Sequence, residues 1–189
     1  MSLPLSDASD AELAALALAG RQEAYRILLA RYREPVFRLV RATTGDPDEA
    51  LDITQEVFVA AFSALARYDA SRPLGAWIRR IALNECHDWA RRRKVRSFFT
   101  RAAPLQQAYT VADFAVSPEL EAADRAELAR VSAAIGKLPS RLRETLLLRT
   151  VDGLSQAEAA DVLGVSEKAI ETRLYRARAQ LKELLADRE

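Results

Sequence analysis

The stretch LSQAEAADVLGVSEKAIETRLYRARAQL, residues 154–181, predicts two helices around a tight turn, and the second helix is strongly basic. Ser155 and Glu158 have the spacing of a capping box, in which each side chain bonds the other residue's backbone amide. Gly164 follows the last apolar residue of the first helix, where glycine adopts a left-handed backbone without steric cost. Ser166 predicts the cap of the second helix. This layout is typical of a helix-turn-helix, which places its second helix in the major groove of DNA.

The second helix of this stretch has one apolar and one polar face. Apolar residues recur at steps of four, three and four, which predicts a face directed at a core: Ile170, Leu174, Ala177 and Leu181. The remaining surface carries residue types that contact bases and phosphates. The residues that we expect to bind DNA are Ser166, Lys168, Glu171, Thr172, Arg173, Arg176 and Arg178. An ordinary helical hairpin with a solvated charged face fits the same pattern, but the alanine-rich first helix, the glycine turn and the arginine cluster together favour DNA binding.

The composition favours a helical protein. The chain has 189 residues, of which 50% are hydrophobic, and it has few glycines and prolines and no alternating run typical of a strand. No apolar stretch approaches the ~20 residues needed to span a bilayer, and the first residues lack the pattern of a secretory signal. A single cysteine, Cys86, excludes an internal disulfide. We therefore expect an all-α protein that is cytoplasmic and does not insert stably into a membrane.

Charge is segregated along the chain, although the net charge is only +1. Residues 44–56 carry five acids and no base, whereas residues 75–101 carry eight arginines and lysines against two acids. Residues 113–127 are acidic again. Opposed patches on one chain indicate at least two different partner surfaces.

Helix start and stop signals divide the chain into two helical domains. Ser9 and Glu12 form another capping box near the beginning, and Pro35 is expected to kink or interrupt the helix that contains it. Asp46 followed by Pro47 predicts a further helix start. The expected organisation is a first domain over residues 1–96, an apolar linker over residues 97–116 and a second domain over residues 117–189. Helices of the second domain are expected near residues 119–135, 141–151, 155–163 and 167–185.

The basic helix expected over residues 74–94, LGAWIRRIALNECHDWARRRK, is the second informative stretch. One of its faces combines an aromatic ring, an amide and charged side chains: Trp77, Arg80, Asn84, Asp88 and Arg91. Aromatic rings stack on bases, amides bond base edges and arginines neutralise phosphates, so this face suits single-stranded nucleic acid. A helix with its tryptophans in a hydrophobic core and its arginines in solvent has the same pattern, and this helix alone does not distinguish the two.

Three segments, in this order and spacing, resemble an extracytoplasmic-function sigma factor, one of the small two-domain initiation factors of bacteria. The segments are DITQEVF at residues 52–58, WIRRIALN at residues 77–84 with Asp88, Arg91 and Arg92, and the run from Leu138-Pro139 to Arg178. The resemblance covers about residues 11–185. Each motif alone is moderately specific, whereas three in order in a chain of this length are strongly so.

The resemblance implies that the first domain corresponds to sigma region 2. It also implies that the chain binds core RNA polymerase through the β and β′ subunits of the polymerase. The side chains implied at the β′ subunit are Asp52, Gln55 and Glu56. A solvated acidic helix start would account for Asp48 and Glu49 but leaves Gln55 and Glu56 without a role.

The resemblance further implies that the first domain recognises and melts the −10 promoter element and holds a flipped non-template base in a loop pocket. The residues implied at this site are Tyr68, Trp77, Arg80, Asn84, Asp88, Arg91 and Arg92. Extruding a base costs a few kcal/mol, which stacking on aromatic rings at roughly 1–3 kcal/mol per base offsets. The second domain would correspond to sigma region 4 and read the −35 element as duplex.

Two features depart from the family pattern. Glu171 lies on the expected reading face, where many relatives have a basic or small polar residue. Glutamate accepts a hydrogen bond from cytosine N4 but repels phosphate, so the −35 sequence cannot be carried over from relatives. The linker residues Phe98, Phe99 and Tyr109 have no assignable role.

Nothing in the sequence predicts a catalytic residue, a metal site or a cofactor, and we expect catalysis to belong to the polymerase. Cys86 and His87 are too few for a metal site, and adjacent side chains on a helix point about 100° apart, so we expect a structural or incidental role for both. The alternative functions are a dimeric helix-turn-helix regulator that acts without core polymerase and a helical adaptor without a DNA role. The resemblance also implies an anti-sigma factor as a partner and a role in a stress or envelope response.

Overall fold

The computed structural model describes residues 5–99 and 122–186, and these residues form helices and their connections without any strand. The α-helices are α1 (Asp10–Leu18), α2 (Gln22–Thr44), α3 (Pro47–Ala64), α4 (Leu74–Phe99), α5 (Ala122–Lys137), α6 (Ser140–Thr150), α7 (Gln156–Leu163) and α8 (Glu167–Ala186). Short 3₁₀ turns at Leu5–Asp7 and Leu65–Arg67 complete these elements. The predicted all-α class is therefore confirmed.

Local signals place the starts of several helices as the sequence predicts. The carboxylate of Glu12 accepts from the amide of Ser9 at 2.7 Å, and Ser9 Oγ accepts in return, which completes the capping box of α1. Ser155 and Glu158 make the same pair at the start of α7, also at 2.7 Å. Asp46 caps α3 by accepting from two amides of its first turn. Because these bonds pair amides that have no partner within the helix, they determine where each helix begins.

The helix α2 continues from Gln22 to Thr44 with Pro35 inside it, so of the two expected effects of this proline, a kink or an interruption, the interruption does not occur. Proline removes one backbone hydrogen bond and crowds the preceding turn, at a cost of about 3 kcal/mol. The residues that follow it, Val36, Leu39 and Val40, are fully buried. Burial of this apolar stripe offsets the local cost of the proline and keeps the helix continuous.

The helices α1 to α4 form a bundle, and α5 to α8 form a second group. In the second group a small cluster of leucines, Leu138, Leu142 and Leu146, packs against Ala177 of α8. The helices α7 and α8 are joined at Gly164, whose φ of 64° lies in the left-handed region that favours glycine. The helix-turn-helix predicted from the sequence is therefore present.

One hydrophobic core extends across both groups of helices. The buried cluster that contains Leu39 of α2 and Ile78 of α4 also contains Leu148 of α6, Val162 of α7 and Ile170 of α8. Each of these five side chains is at most 2% exposed. The two helical groups are therefore packed against each other.

The predicted linker, residues 97–116, lies outside the described residues except where α4 extends to Phe99. Residues 117–121, expected to begin the second domain, also lie outside them. Within the described part of the chain, no helix is long and apolar enough to cross a membrane.

Candidate nucleic-acid interface

The helix α8 presents the expected DNA-reading face to solvent. Ile170 and Ala177 are fully buried on the opposite side, which fixes the rotation of the helix. Ser166 Oγ accepts from the amide of Ala169 at 3.2 Å, so it caps the helix as predicted. The exposed residues of the predicted set are Ser166, Lys168, Glu171, Thr172, Arg176 and Arg178, whereas Arg173 is half-buried.

The acidic residue on this face is paired. Lys168 Nζ lies 2.8 Å from Glu171 Oε2, and both side chains are exposed. The hydroxyl of Thr172 donates to the backbone carbonyl of Lys168 at 2.9 Å. Lys168 therefore balances the charge of Glu171. The net positive charge of this face comes from arginines such as Arg173 and Arg176, which can contact the phosphates of DNA.

Tyr175 lies on the same helix and was not among the predicted binding residues. Its side chain is 75% exposed, so the ring is accessible to a binding partner. An exposed ring on a reading helix offers an apolar contact to a thymine methyl group. The sequence signal was available, because Tyr175 falls outside the Ile170 and Ala177 stripe.

The α4 surface expected to bind the −10 strand is built against the loop that precedes it. The rings of Tyr68 and Trp77 lie 5.4 Å apart, and the Tyr68 hydroxyl donates to the carbonyl of Arg72 at 2.5 Å, which closes the loop. A small pocket of about 50 Å³ lies beside these rings. Its lining residues are Tyr68, Asp69, Arg72, Pro73, Ala76, Trp77, Arg80 and Asp161.

The predicted residues of α4 do not all share one open surface. Asn84 and Arg91 are exposed, and Arg91 pairs with Asp88 one turn earlier on the helix. Arg92 instead reaches α3, where its Nη2 lies 3.1 Å from the Glu56 carboxylate. Arg80 is directed toward the second group of helices. Its Nε donates to the carbonyl of Val162 and its Nη2 to the carbonyl of Asp161, each at 2.9 Å.

The acidic face of α3 is open, as the sequence predicts for a partner surface. Asp52, Gln55 and Glu56 are exposed, together with the apolar side chains of Leu51 and Val59. A groove of about 620 Å³ runs between this face and the second half of α4. Its lining residues are Glu49, Asp52, Ile53, Glu56, Trp89, Arg91, Arg92, Val95 and Arg96.

Trp89 forms part of the wall of this groove rather than of a strand-binding face. Its side chain is 8% exposed, and its indole Nε1 donates to Glu49 Oε2 at 2.7 Å. The guanidinium of Arg93 lies 5.0 Å from the centre of the indole ring, within the range of a cation–π contact. Of the two tryptophans in α4, only Trp77 therefore lies beside the small pocket.

Cys86 and His87 do not form a reactive pair. Burial raises the pKa of the Cys86 thiol to about 12, which keeps it protonated. His87 Nε2 lies 2.6 Å from Glu144 Oε1 of α6, so this histidine has a structural role between the two groups of helices. Among the described residues, no group of histidine, cysteine and carboxylate side chains could hold a metal ion.

One helical group contains a helix-turn-helix, and the other contains a basic helix beside an aromatic pocket. This combination is typical of a DNA-binding protein that has two recognition domains. Comparison with family models agrees with this class. The model described as "Sigma-70 region 2" matches residues 28–96, and the model described as "Sigma-70, region 4" matches residues 128–181.

Individual relatives give the family. The RNA polymerase sigma factor CnrH of Cupriavidus metallidurans is 43% identical over 96% of this chain and 97% of its own length. The ECF RNA polymerase sigma factor SigM of Mycobacterium tuberculosis is 35% identical over 94% of this chain and 85% of its own length. The chain belongs to the extracytoplasmic-function sigma factors, which are a regulatory class rather than a class of enzymes.

A solved structure supports the same assignment. The structure of CnrH in complex with the cytosolic domain of CnrY superposes with a TM-score of 0.69 and is 36% identical, covering 95% of this chain and 99% of that one. The described residues thus share the fold of CnrH.

Proposed function

We propose that this protein is an alternative sigma factor that binds core RNA polymerase in the cytoplasm and directs it to specific promoters. The observation that carries the proposal is the ordered pair of sigma regions, each of which presents an exposed charged surface. The exposed acidic face of α3 suits a basic partner surface, and the exposed basic face of α8 suits duplex DNA. Catalysis of transcription belongs to the polymerase.

We assign Asp52, Gln55 and Glu56 to the β′ subunit, because they form a continuous exposed face beside the apolar residues Leu51 and Val59. An interface of this kind combines charge complementarity, which orients the partner, with a few apolar contacts that supply affinity.

We assign the −10 non-template strand to the surface around the small pocket and the −35 duplex to α8. The proposed −10 residues are Tyr68, Trp77, Arg80, Asn84, Asp88, Arg91 and Arg92. The proposed −35 residues are Ser166, Lys168, Glu171, Thr172, Arg173, Arg176 and Arg178. The paired rings of Tyr68 and Trp77 support the first assignment, since stacking on aromatic rings suits unpaired bases.

The test is transcription with purified bacterial core RNA polymerase and the protein on a genomic DNA library. Promoter-specific transcripts should appear only when both components are present. Glu56→Arg should weaken binding to core polymerase at least tenfold, because it reverses one exposed charge of the docking face. Asp48→Arg makes the same charge change on an exposed residue at the start of α3 and should change binding less than twofold.

The competing function, a dimeric regulator that acts alone, makes the opposite prediction in the same samples. Such a regulator would protect a specific duplex site from nuclease without core polymerase. Specific protection without polymerase, together with no specific transcript in its presence, would replace the sigma-factor proposal.

We also propose an anti-sigma protein as a regulatory partner, in a stress or envelope response. The support is the relative CnrH, whose solved structure contains the cytosolic domain of CnrY. Affinity purification of the tagged chain from its native cells, before and after a stress, tests this. A partner that is bound before the stress and absent afterwards is the expected result, and a chain purified without any stoichiometric partner would contradict it.

A further inference from the structure

The beginning of α8 carries an ion pair in the part of the helix that reaches DNA bases. Lys168 Nζ lies 2.8 Å from Glu171 Oε2, and the two side chains are 80% and 59% exposed. In a helix-turn-helix, the N-terminal residues of the second helix contact base edges in the major groove. Lys168 is the second residue of α8 and Glu171 is the fifth, so a duplex on this face meets both charges.

The rotation of α8 directs the pair away from the protein. Ile170 is fully buried. Because side chains advance about 100° per residue along a helix, Lys168 and Glu171 lie about 160° and 100° from the direction of Ile170. The hydroxyl of Thr172 donates to the carbonyl of Lys168 at 2.9 Å, so its hydrogen is already used within the helix. This turn of α8 therefore offers DNA a donor, Lys168, beside an acceptor, Glu171.

The two charges cancel, and this separates base choice from affinity. Affinity for DNA of any sequence comes mainly from cations that neutralise phosphates. The Lys168–Glu171 pair has no net charge, and the carboxylate of Glu171 repels phosphates. An exposed ion pair of this kind also contributes little to folding. Any contribution of the pair to DNA binding therefore lies in the choice of bases.

The spacing of the pair matches the major-groove edge of a C·G base pair. On that edge the N4 amino group of cytosine donates and O6 of guanine accepts, and these two atoms are hydrogen-bonded to each other at about 2.9 Å. The 2.8 Å between Lys168 Nζ and Glu171 Oε2 is nearly the same spacing. Glutamate accepts from cytosine N4, and lysine donates to guanine O6 and N7. The pair therefore complements both bases at once.

An A·T base pair fits the Lys168–Glu171 pair less well. It also presents a donor beside an acceptor, adenine N6 and thymine O4, but the donor is on the purine. Glu171 at adenine N6 would face the lone pair of N7, and Lys168 at thymine O4 would face the methyl group. In a C·G pair, N7 instead lies beside O6 and gives Lys168 a second acceptor. The pair therefore favours C·G over A·T.

We propose that Lys168 and Glu171 together select one C·G base pair of the −35 element, with Glu171 on the cytosine and Lys168 on the guanine. This inference rests on the proposed function for the identity of the duplex. It assigns the pair to promoter choice rather than to promoter affinity. Because α8 enters the groove in one orientation, the cytosine should lie on the same strand in every selected site.

The test is selection from a pool of duplexes with 20 random base pairs, by the chain in complex with core polymerase and by the chain alone. Sequencing of the bound duplexes gives the preferred motif. Wild type should prefer C·G at one position at least tenfold over the other base pairs, the discrimination expected of a good pair of contacts. Absence of such a position would overturn the proposal.

Two variants of Glu171 test its contact with cytosine. Glu171→Gln should lower the preference for C·G at that position at least fivefold and raise the preference for A·T, because glutamine bonds adenine N6 and N7. Glu171→Ala should abolish the preference and raise binding to random duplex about twofold, since it removes a charge that repels phosphate. Glu183→Gln makes the same change on an exposed residue near the end of α8 and should leave the motif unchanged.

The guanine contact has its own test, fluorescence anisotropy with the selected duplex. 7-Deazaguanine lacks the N7 acceptor but still pairs with cytosine. At the selected position it should weaken binding by wild type at least threefold and leave binding by Lys168→Ala unchanged, because this variant has no donor for N7. Lys182→Ala removes another exposed lysine of α8 and should respond as wild type does. An equal response of wild type and Lys168→Ala would contradict the role of Lys168.

Two further results would overturn the proposal. One is a change by the same factor for every sequence in Glu171→Gln, which is the signature of a phosphate contact. The other is an equal change of the motif in Glu183→Gln. Transcription is scored separately from selection. If the motif changes as expected but no promoter-specific transcript forms, the base selection stands and the sigma-factor assignment fails. Specific transcripts with a motif that does not respond to Glu171 would mean the reverse.

Discussion

The two basic helices of the chain, α4 and α8, contain similar kinds of residues but differ in what covers them. Each carries an apolar stripe, a cluster of arginines and an aromatic residue on its polar side. In α8 the aromatic residue, Tyr175, is 75% exposed, and most of the predicted DNA-binding residues face solvent. In α4 the corresponding ring, Trp77, is half-buried, and Arg79 and Arg80 bond the other helical group.

The difference teaches that an arginine on a polar helix face has more than one use. Guanidinium groups bind phosphate, carboxylate and backbone carbonyl with the same donors, so composition does not reveal which acceptor is present. The arginines on the exposed face of α8 are accessible to DNA. In α4, by contrast, the guanidinium groups of Arg79 and Arg80 donate to acceptors of the protein itself. Five experiments test how far this contrast holds, and the first four are ordered by the size of the expected effect.

The largest effect is expected for the reactivity of Cys86. Its pKa of about 12 compares with an ordinary value of 9.0, so at neutral pH the reactive thiolate is about a thousandfold less abundant than for an exposed cysteine. Arg143 and Glu144 of α6 act on this thiol, so the second helical group lies beside it. The rate of alkylation by iodoacetamide, followed by mass spectrometry, should be very low in wild type. It should be higher in Asp152→Arg, which breaks the ion pair between Arg79 of α4 and Asp152 of the second helical group. Equal, fast labelling of native and urea-unfolded protein would contradict the closed packing of α4.

The next effect concerns the shared hydrophobic core. Leu148 of α6 is fully buried in the cluster that also contains residues of α2 and α4. Leu148→Ala should lower the free energy of unfolding in urea by about 2–5 kcal/mol, because it removes buried methyl groups and leaves a cavity. Leu18→Ala is the control, since Leu18 is 52% exposed and its truncation should cost less than about 0.5 kcal/mol. A similar, small cost for both leucines would show that the two helical groups do not share a core.

A smaller effect separates the two arginine clusters directly. Arg173→Ala and Arg176→Ala should each weaken −35 duplex binding by about 1–3 kcal/mol, the cost of one lost base or phosphate contact of this type. Fluorescence anisotropy of the complex with core polymerase measures this, on a duplex that carries only the −35 element of a promoter recovered from the transcription assay. Arg80→Ala should leave the same measurement unchanged, because its guanidinium bonds α7 and not the reading face. Equal losses of duplex affinity for Arg80→Ala and Arg176→Ala would contradict the different roles given to the arginines of α4 and α8.

The smallest effect compares the two capping boxes. Ser155→Ala should cost about 0.5–2 kcal/mol, since it leaves an amide at the start of α7 unpaired, and Ser9→Ala should act in the same direction at α1. Thermal unfolding followed by circular dichroism measures both changes. If the domains unfold as one unit, both variants should shift a single transition, whereas two separate transitions would indicate independent domains.

The capping boxes also predict a pH dependence. Hydrogen bonds from the side chain and amide of Ser155 hold the pKa of Glu158 below its ordinary value. Because the folded-state pKa is lower than that of the unfolded chain, this stabilisation is complete above the ordinary carboxyl pKa and is lost as pH falls through the folded one. Ser155→Ala should therefore lose less stability on acidification than wild type. An unchanged acid profile would mean that the Glu158 bond is not formed in solution.

The sequence predicted local structure well where short-range signals decide it. Ser155 with Glu158, Gly164 and Asp46 each act within one turn of their own helix, so the start of α7, the turn before α8 and the start of α3 followed from residue type and spacing. Pro35 shows what such reasoning leaves out. Its local cost is real, but the burial of Val36 and Val40 against distant helices outweighs it, and that burial is invisible in the neighbouring sequence.

Of the candidate site, the reading face of α8 followed from helical periodicity alone, because Ile170 and Ala177 fix which side is buried. The residues that surround α4 could not be predicted from helical periodicity. The partners of Arg79 and Arg80 lie more than 70 residues further along the chain.

By itself the sequence determined the helical class, the helix-turn-helix and the family motifs, since these depend on residue type and on spacing within a few turns. Only the tertiary structure decided that the two helical groups share a core, that His87 meets Glu144, and that Arg79 and Arg80 of α4 bond the other helical group while most of the polar face of α8 is exposed. The physical reason is that these contacts join residues far apart in sequence. Their energy depends on burial and on charge pairing, which exist only once the chain has folded.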